Sequence, residues 1–502
     1  MKNNNLIKKK DVLQIKASIL GQHFLECHKI KNDELIKVYA VDPKKLLHYK
    51  RIDIIPKIRF AEDFLKSSWR SRTIEDYKKI ISCFSFGKFQ EPGDPYKNSF
   101  ESYLDKFKEL INNISMNGFN TEKSVIPVGE NGIIIDGSHR VAAAIALNKK
   151  VAVAYFPNIK VDYGVDFFRK RGLEEEDIEA FILDYMARKE DHQTFLLWSK
   201  LSKKERKQAV KILEEQSGGI IYKQTYNIKF QALMNLVALT YEGDSWVGNP
   251  DNKFAGAERK AHKVSRGKTG DLTMVIVDDN TEKHVSDVKK YIRTELKCEN
   301  DGCHSTDSYK ESSLVAQYLL NSNTRHMLSY GKPFHYPKLV KRILRFRKNI
   351  DSQEFDREDF IIDSSTVLGL YGLRLPNDLN FLSLEKEFKN VENYEIKNHH
   401  HGDDYYPVKR RDLITDSRNY IYFMGLKIIS LPILIEGNKL RRQSTKHTDI
   451  KLAKIALNRS FRERLIYLRF IGLLQRIYRV IKIKLMYPVY LRLKKVISLI
   501  KK

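Results

Sequence analysis

The chain has 502 residues, of which 42% are hydrophobic and 11% aromatic, with only 13 prolines and 24 glycines. This composition excludes a mainly disordered or low-complexity protein, and the length predicts two or three domains because single cores stop growing near about 250–300 residues. The 90 lysines and arginines against 63 acids leave a formal charge of +27. Such a charge favours polyanionic partners, namely nucleic acid, anionic lipid or nucleotides.

The sequence lacks signs of export or membrane insertion. Its N-terminus has no uninterrupted apolar stretch with a cleavage site. The most apolar window, 420–435, contains Lys427 and Pro432 and is shorter than the roughly 20 residues that span a bilayer. The four scattered cysteines are typical of a reducing compartment rather than of a disulfide scaffold. We expect a cytoplasmic protein.

The first region, residues 1–157, mixes short apolar runs with charged helices. The spacing of apolar residues predicts a helix over 103–118 that stops at Gly118. After it we predict short strands at "SVIPVG" and "GIIID", a helix at "HRVAAAIALN" and a strand at "KVAVAYF". The second of these strands leads directly into a polar turn, "DGSHR", before the alanine-rich helix.

A strand that ends in Asp-Gly before a helix directs unpaired backbone N–H groups and the positive end of the helix dipole at one point, which favours anions. Gly137 permits the tight turn. Ser138 and Arg140 can donate to phosphate oxygens. Asp136 could hold a divalent cation or act as a base, and His139 could donate to phosphate or carry a proton.

A purely structural interpretation of this turn is equally open. Asp-Gly is a common turn, Ser138 could simply cap the helix, and Arg140 could pair with Asp136. The residue types alone do not decide between the two interpretations.

Upstream of this turn, the stretch "YKRIDIIPKIRFAEDF" contains four charged residues that could serve a substrate: Arg51, Asp53, Lys57 and Arg59. Charge runs usually lie on a solvated face. We therefore favour a solvated surface for this stretch over a role in binding.

The segment from Phe107 to Phe156 resembles the ParB and sulfiredoxin superfamily. The matching positions follow the order and spacing of that family: Gly118, Pro127, Val128, Asp136, Gly137, His139, Arg140, Ala143, Ala144 and Val151 to Val153. The resemblance covers about a tenth of the chain. Members include nucleotide-hydrolysing partition proteins, free-serine kinases and sulfiredoxin, so it implies nucleotide binding more than any one reaction. Sulfiredoxin itself is disfavoured because the nearest cysteine is Cys83.

Beyond the first region, residues 158–235 are predicted to be a charged helical connector, and residues 236–457 return to mixed strands and helices. The helices at 172–215 show no glycine-containing turn of the helix-turn-helix kind. Partition proteins carry their DNA-binding helices at this place. The sequence therefore weakens, without removing, the alternative of a DNA-binding regulator.

A second polar constellation follows an apolar strand near residue 360. Ser364 and Ser365 form a turn, a helix follows over 366–371, and the next strand carries Asp378 and Asn380, which project to the same side. This order resembles the nucleotidyltransferase superfamily, whose paired acids hold magnesium and whose Gly-Ser turn holds triphosphate.

Two departures from the nucleotidyltransferase pattern put its activity in doubt. Ser364 replaces a glycine, and Asn380 replaces a carboxylate, which leaves a weaker magnesium site. A third acid could come from Asp403, Asp404 or Asp412, and the closing helix is matched by Arg442, Lys446 and Asp449, with His447 in place of an expected acid. The alternative is an inactive fold in which Asp378 caps a turn.

Two weaker signals lie between these regions. His304, Asp307 and Glu311 lie on consecutive turns and could grip a metal or a sugar phosphate, although helix-start chemistry is the better supported interpretation. The stretch 241–264 combines Trp246 with glycines, Arg259 and Lys260 in a loop able to bind phosphate or sugar, but it fits no phosphate-loop spacing.

The tail, residues 458–502, contains thirteen lysines or arginines and one acid, Glu463. With its apolar residues at helical spacing, it is typical of an amphipathic helix that lies in an anionic membrane interface. Packing on its own protein or on nucleic acid is the alternative.

Together these patterns predict an α+β, multidomain protein. It has a ParB/sulfiredoxin-like part (1–157), a helical connector (158–235), a nucleotidyltransferase-like α/β part (236–457) and the basic tail. The resemblances imply a phosphoryl- or nucleotidyl-transferase that uses ATP or CTP and Mg²⁺, acts on a phosphorylated or sugar substrate, and lies on the inner face of the membrane. Similarity to proteins encoded among bacterial surface-polysaccharide enzymes suggests that pathway. The alternatives are a ParB-like DNA-binding protein and an inactive scaffold.

Overall fold

A computed structural model describes residues 13–91, 96–267, 269–279, 285–389, 395–399, 405–441 and 447–458. The described chain is α+β, with three separate small sheets surrounded by helices. One large hydrophobic cluster runs through all three parts, and two smaller clusters fill the outer faces of the first and second sheets. The α+β prediction is confirmed at this level.

The first sheet has the strand order β1-β2-β4-β3, antiparallel except for the parallel pair β3 and β4. Its strands are β1 (Leu13–Lys16), β2 (Leu35–Val41), β3 (Ile126–Val128) and β4 (Val151–Tyr155). Its helices are α1 (Gln22–His28), α2 (Ile54–Leu65), α3 (Thr73–Ser85), α4 (Phe100–Asn117) and α5 (Ser138–Ala146).

The sheet separates two cores because side chains alternate along a strand. Val151 and Val153 of β4 face the main hydrophobic cluster, whereas Ala152 and Ala154 face the smaller one under β1 and α1. Helix α5 packs its alanines on the main-cluster side, next to α2. The turn before α5 is thereby fixed against α2.

The elements predicted around this turn are confirmed, with one exception. Helix α4 ends before Gly118, and β3, α5 and β4 lie where expected. The predicted strand "GIIID" is wrong, since only an isolated bridge between Val128 and Ile134 forms there. Asn131 and Gly132 adopt left-handed backbone conformations (φ +58° and +74°) that bend the chain and prevent an extended run.

The second sheet is fully antiparallel, in the order β6-β7-β5-β8. Its strands are β5 (His192–Leu197), β6 (Ile220–Lys229), β7 (Thr269–Asp278) and β8 (Cys303–Ser305). The helices of this part are α6 (Val165–Lys170), α7 (Glu175–Arg188), α8 (Lys203–Gln216), α9 (Phe230–Thr240), α10 (Ala255–Val264), α11 (Val285–Glu295), α12 (Glu299–Gly302), α13 (Tyr309–Leu319) and α14 (Ser322–Tyr330).

The prediction that residues 158–235 are wholly helical is therefore wrong. β5 and β6 lie in this segment and pair with β7. Strand β5 (HQTFLL) is buried along its whole length, so its polar and apolar residues do not alternate and periodicity gives no strand signal.

The third sheet has the order β11-β10-β9-β13-β12. Its strands are β9 (Phe360–Asp363), β10 (Leu379–Ser383), β11 (Ile396–Asn398), β12 (Tyr420–Phe423) and β13 (Leu426–Ile429). Its helices are α15 (Pro337–Ser352), α16 (Thr366–Leu370), α17 (Arg410–Thr415) and α18 (Leu431–Leu440), followed by α19 over 447–458. The predicted order of strand, serine turn, helix and strand is confirmed by β9, α16 and β10.

Helix α17 joins the third part to the first. The Arg411 guanidinium donates to the carbonyl oxygen of Ser68 (2.8 Å) and to the buried carboxylate of Asp63 (3.2 Å). The backbone N–H of Ser71 donates to Asp412 Oδ1 at 2.6 Å. These polar contacts lock α17 onto the end of α2 and the turn that follows it.

None of the helices in the described ranges combines the length and apolar character needed to cross a membrane. The predicted amphipathic tail lies almost entirely outside the described residues, which end at 458. Its membrane role stays a prediction.

Candidate functional site

The first candidate site is the turn between the bridge at Ile134 and helix α5. Gly137 precedes the helix in a left-handed conformation (φ +88°) that L-residues adopt only at a cost. The alanine-rich sequence then continues as nine residues of helix. Because the first N–H groups of a helix have no partner within it, α5 presents donors at this turn. No described side chain caps them.

Arg140 and Asp136 form the ion pair that the structural interpretation of this turn expects. Arg140 Nη2 lies 3.1 Å from Asp136 Oδ2, and Nη1 donates to Ser124 Oγ at 2.5 Å. A Cβ at Gly137 would lie 2.7 Å from Arg140 Nη2 and 2.8 Å from Ile126 Cδ1. Glycine therefore gives the guanidinium room to fold over the turn. The Asp136 side chain remains 56% exposed, so it is open to a ligand.

Ser138 does not cap the helix, contrary to one expectation. Its hydroxyl oxygen accepts a hydrogen bond from Lys57 Nζ at 2.7 Å, and Lys57 also donates to Asp53 Oδ2 at 2.6 Å. Arg51 grips the same carboxylate with two hydrogen bonds of 2.8 and 3.0 Å and donates to the carbonyl oxygens of Ile134 and Ile135. A buried charge cluster thus supports the turn from below.

The prediction that this charged stretch is a solvated face is wrong for these three residues. Arg51, Asp53 and Lys57 are only 4%, 0% and 2% exposed. Burial alone would raise the pKa of the Asp53 carboxyl, but the adjacent Arg51 and Lys57 cations outweigh burial and hold it below its usual range. Burial lowers the pKa of the Lys57 ammonium, against the opposing effect of Asp53. The carboxylate is shared by two cations, so the cluster carries a net positive charge beneath Ser138.

His139 lies among aromatic rings rather than in open solvent. Its Nε2 is 3.0 Å from the Tyr77 hydroxyl, and its ring packs edge-on against Tyr77 and Phe107 at centroid distances of 5.7 and 4.9 Å. Burial, followed by the nearby Lys57 cation, holds the pKa of His139 well below its usual value. The imidazole is therefore neutral at neutral pH, which favours a positioning role over proton donation.

A cleft of about 940 Å³ opens in front of the turn and brings together all five residues of the "DGSHR" stretch. Six cationic side chains line it against three carboxylates. The cations are Arg51, Lys57, Lys97, Lys106, Arg140 and Arg171, and the acids are Glu91, Glu109 and Asp136. Its volume falls within the range of small-molecule sites, about 300–1,000 Å³. The excess of positive charge suits an anionic ligand.

One wall of this cleft is aromatic. The rings of Phe84, Tyr163 and Phe167 line it and contact one another at centroid distances of 4.8 to 5.4 Å. The Arg171 guanidinium lies 4.2 Å from the Phe167 ring centroid. Arg51 and Lys57 likewise lie over the rings of Tyr163 and Phe84, at 5.1 and 5.4 Å. The cleft therefore places apolar ring surface next to cations, a combination that suits a ligand with both a planar ring and negative charge.

Sequence reasoning missed the residues of α4 and of segments 84–97 and 163–171 that complete this cleft. They are separated from the turn by tens of residues and form no local motif. Only one signal was available for the cluster under the turn. Arg51 and Asp53 are interleaved with Ile52, Ile54 and Ile55, which is unusual for a solvated run.

The second constellation centres on Asp363 rather than on the predicted pair. This fully buried carboxylate accepts hydrogen bonds from the Ser364 hydroxyl (3.0 Å), His399 Nδ1 (2.8 Å) and the Tyr406 hydroxyl (3.0 Å). Ser364 adopts a left-handed conformation (φ +60°), which accounts for the glycine that nucleotidyltransferases carry there. Its hydroxyl is engaged internally, and Ser365 begins a helix of only five residues. The turn therefore lacks a free Ser364 hydroxyl and a long helix that could bind a triphosphate.

Asp378 and Asn380 lie side by side as predicted, with Asn380 Nδ2 donating to Asp378 Oδ1 at 3.3 Å. Lys397 Nζ lies 3.4 Å from the other Asp378 oxygen. Within the described ranges no group of three or more His, Cys, Asp or Glu side chains could hold a metal ion. One carboxylate that is already paired with an ammonium is a poor fit to Mg²⁺.

The other acids proposed for this site are placed elsewhere or lie outside the described residues. Asp412 binds the Ser71 backbone, and Asp449 pairs with Arg374 at 3.1 Å. Residues 401–404 and 442–446, which contain Asp403, Asp404, Arg442 and Lys446, are not among the described residues.

Comparison of the chain with known protein families, curated proteins and solved structures finds no match. The resemblances to ParB/sulfiredoxin-like proteins and to nucleotidyltransferases therefore stay predictions that rest on the residues quoted for them.

Proposed function

We propose that the chain is a nucleotide-dependent phosphoryl- or nucleotidyl-transferase whose nucleotide binds in the cleft before α5. The observation that carries this proposal is that one cleft, lined by six cationic side chains and three acids, also contains the first turn of helix α5. Polyphosphate needs this combination of helix dipole, backbone N–H donors and fixed cations.

In this proposal the phosphates bind at the first turn of α5, within reach of Arg140 and of the half-exposed Asp136. Once the phosphates draw Arg140 away from its ion pair with Asp136, this carboxylate would either orient Mg²⁺, which neutralises charge on the transferring group, or activate the attacking hydroxyl. Lys57 fixes Ser138 and supplies positive potential from beneath. The base stacks against the aromatic wall of Phe84, Tyr163 and Phe167. Where Asp136 acts as the base, it accepts the proton of an attacking hydroxyl, whose oxygen forms a bond to phosphorus. The nucleoside diphosphate leaves in phosphoryl transfer, and pyrophosphate leaves in nucleotidyl transfer.

The first expected result concerns nucleotide affinity. Replacing Arg140 with alanine should weaken binding of ATP or CTP about 10- to 100-fold, since a hydrogen bond to a charged group contributes about 1.5–3 kcal/mol. Isothermal titration calorimetry of the full chain with Mg²⁺ measures this change. Arg357→Ala, which removes another surface arginine paired to an aspartate (2.6 Å), is the matched control and should bind as the unmodified chain does.

Asp378→Ala should also leave nucleotide affinity unchanged, because Asp378 lies outside the cleft. Unaltered binding in Arg140→Ala, or loss of binding in Asp378→Ala alone, would place the nucleotide elsewhere. If neither ATP nor CTP binds at millimolar concentration, the proposal is contradicted.

A second expected result separates backbone strain from the geometry of the cleft. Gly137 and Gly172 have nearly equal positive φ angles, +88° and +89°, but a Cβ meets Arg140 at Gly137 and nothing within 4 Å at Gly172. Backbone strain from alanine at either position should lower the free energy of unfolding by about 1–2 kcal/mol. Gly137→Ala should cost more than Gly172→Ala because its Cβ also clashes with the buried Ile126 side chain. Only Gly137→Ala should also weaken nucleotide binding, because it displaces the guanidinium. Equal nucleotide affinity in the two variants would contradict the proposed role of Arg140.

The charge of the chain is also compatible with DNA binding, but the structure supplies a counter-argument. A turn containing Gly172 connects α6 to α7, but α6 has only six residues and lies before the helices considered in the sequence. Helices α7 and α8, which occupy the predicted place, are separated by strand β5 and therefore do not form a helix-turn-helix.

We further propose that the transferase acts at the inner face of the membrane in surface-polysaccharide assembly, with the tail 458–502 as its anchor. Support comes from the sequence alone, chiefly the thirteen cations of the tail. The full chain should co-float with anionic liposomes, and a chain ending at residue 457 should not. Equal flotation of the two chains would show that residues 458–502 are not the membrane anchor.

A further inference from the structure

The two weaker sequence signals, residues 241–264 and 304–311, meet in a second large cleft. Its volume is about 920 Å³, and it is lined by the end of α9, the following loop, α10, α11 and α13. Six cations and six acids line it, so it lacks the positive excess of the first cleft. The two clefts share no lining residue.

A buried histidine with an unsatisfied nitrogen lines this cleft. His304 is 6% exposed, and its Nδ1 is 3.0 Å from the Tyr241 hydroxyl. Its Nε2 is buried without a hydrogen-bond partner in the described chain, and Glu311 Oε1 is 3.6 Å away. A buried polar atom of this kind is costly unless a ligand or water completes its bonding. The hydroxyl of Tyr241 holds the His304 ring in place, so its Nε2 has a fixed position in the cleft.

An exposed aromatic ring stands at the same cleft. Trp246 is 41% exposed and packs edge-on against Tyr241 at a centroid distance of 5.0 Å, while its Nε1–H donates to Asp244 (2.9 Å). A Cβ at Gly256 would lie only 2.0 Å from the Trp246 carbonyl oxygen, so glycine is required for α10 to approach this loop. The indole is thus held by Tyr241 and Asp244, while the residue stays 41% exposed.

The exposed side of the cleft carries two cations on one face of α10. Arg259 and Lys263 are four residues apart, so they lie one turn from each other. No ion pair joins either of them to another described residue, whereas Lys260 between them binds Asp301 at 2.9 Å. Two neighbouring cations without an acidic partner suit a phosphate group.

We propose that this cleft binds a phosphorylated sugar. Arg259 and Lys263 hold the phosphate, the indole of Trp246 covers the apolar face of the sugar ring, and His304 with Glu311 bonds its hydroxyls. The rest of the cleft, with four cations and six acids, offers many hydrogen-bond donors and acceptors to a ligand that is mostly hydroxyl groups. This inference is independent of nucleotide binding, although such a ligand has the chemistry of a transferase substrate.

The test uses the full chain and the 1-phosphates of glucose, galactose, mannose and N-acetylglucosamine, with the free sugars and inorganic phosphate as comparison probes. Binding is followed by calorimetry and by quenching of tryptophan fluorescence. We expect at least one sugar phosphate to bind about tenfold or more tightly than either its free sugar or inorganic phosphate, as an added charge-assisted contact implies.

The paired variant Arg259→Ser/Lys263→Ser should reduce the affinity for that sugar phosphate to the level of the free sugar. Lys203→Ser/Lys207→Ser on α8, which removes the same charge from exposed positions with the same spacing, should not. Trp246→Leu and His304→Gln should weaken binding of the sugar phosphate without changing ATP affinity, which distinguishes this cleft from the nucleotide cleft.

Three results would overturn the proposal. They are the absence of binding by all four sugar phosphates, binding of inorganic phosphate as tight as that of every sugar phosphate, and unchanged affinity in the Arg259/Lys263 paired variant.

Discussion

Replacing Asp53 with alanine is expected to lower the free energy of unfolding by about 3–5 kcal/mol, because it leaves two buried cations without their carboxylate. Arg51 and Lys57 both bond to Asp53 at distances between 2.6 and 3.0 Å, and all three side chains are almost fully buried. The urea midpoint of unfolding, followed by fluorescence, measures the change. Below about pH 4 the effect should shrink, since the lowered pKa of Asp53 means that its stabilisation is lost as the pH falls.

Asp105→Ala is the matched control for this experiment. Its carboxylate pairs with Lys108 at 3.5 Å, but the two side chains are 71% and 39% exposed. Exposed pairs contribute about 0–1 kcal/mol. Similar losses for the two variants would mean that the cluster under the turn is not the buried network described above.

Acidification from pH 7 to pH 5.5 should also destabilise the protein strongly. Burial lowers the pKa of His48 to about 3, with Lys189 and Lys50 adding to the effect. Burial likewise lowers the pKa values of His139 and His192. Below about pH 6.5 the unfolded chain binds protons that the folded chain excludes, so stability falls as the pH falls. His48 and His139 each approach about 1.4 kcal/mol per pH unit, and His192 contributes in the same direction.

Unfolding midpoints measured at several pH values in this window test the expectation. His48→Asn should flatten the dependence, because an asparagine oxygen can still accept the Lys50 N–H that His48 Nδ1 accepts at 3.1 Å. His23→Asn, at an exposed position, should leave the slope unchanged. A slope that is the same in the His48 variant as in the unmodified chain would show that His48 does not exclude a proton on folding.

The sequence predicted local elements well where their pattern was periodic. Helix α4 has apolar residues at helical spacing and a glycine stop, and α5 follows a glycine with a run of alanines. It failed at "GIIID", where apolar composition suggests a strand but the left-handed Asn131 and Gly132 bend the chain. It failed at β5 because a strand buried on both faces has no alternation to detect.

The candidate site was only partly predictable, for a different reason. The turn itself is contiguous in sequence, so its residues could be singled out together. The cleft depends on Lys97 and Lys106, on the aromatic wall, and on the burial of Asp53. Each of these is set by how α2, α4 and the segment after β4 pack, and tertiary packing leaves no short-range signature. The two halves of the sugar-phosphate cleft were both noticed, but no pattern indicated that they meet.

The attachment of α17 to the end of α2 has a consequence for synthesis of the chain. Asp63 receives Arg411, which lies 348 positions later, so its burial cannot be completed until that much more polypeptide has left the ribosome. At about 5–20 residues per second this delay is roughly 20–70 seconds. Throughout that interval the nascent N-terminal part exposes the surface at the end of α2 that α17 later covers. This exposed surface makes it a substrate for chaperones that bind elongating chains.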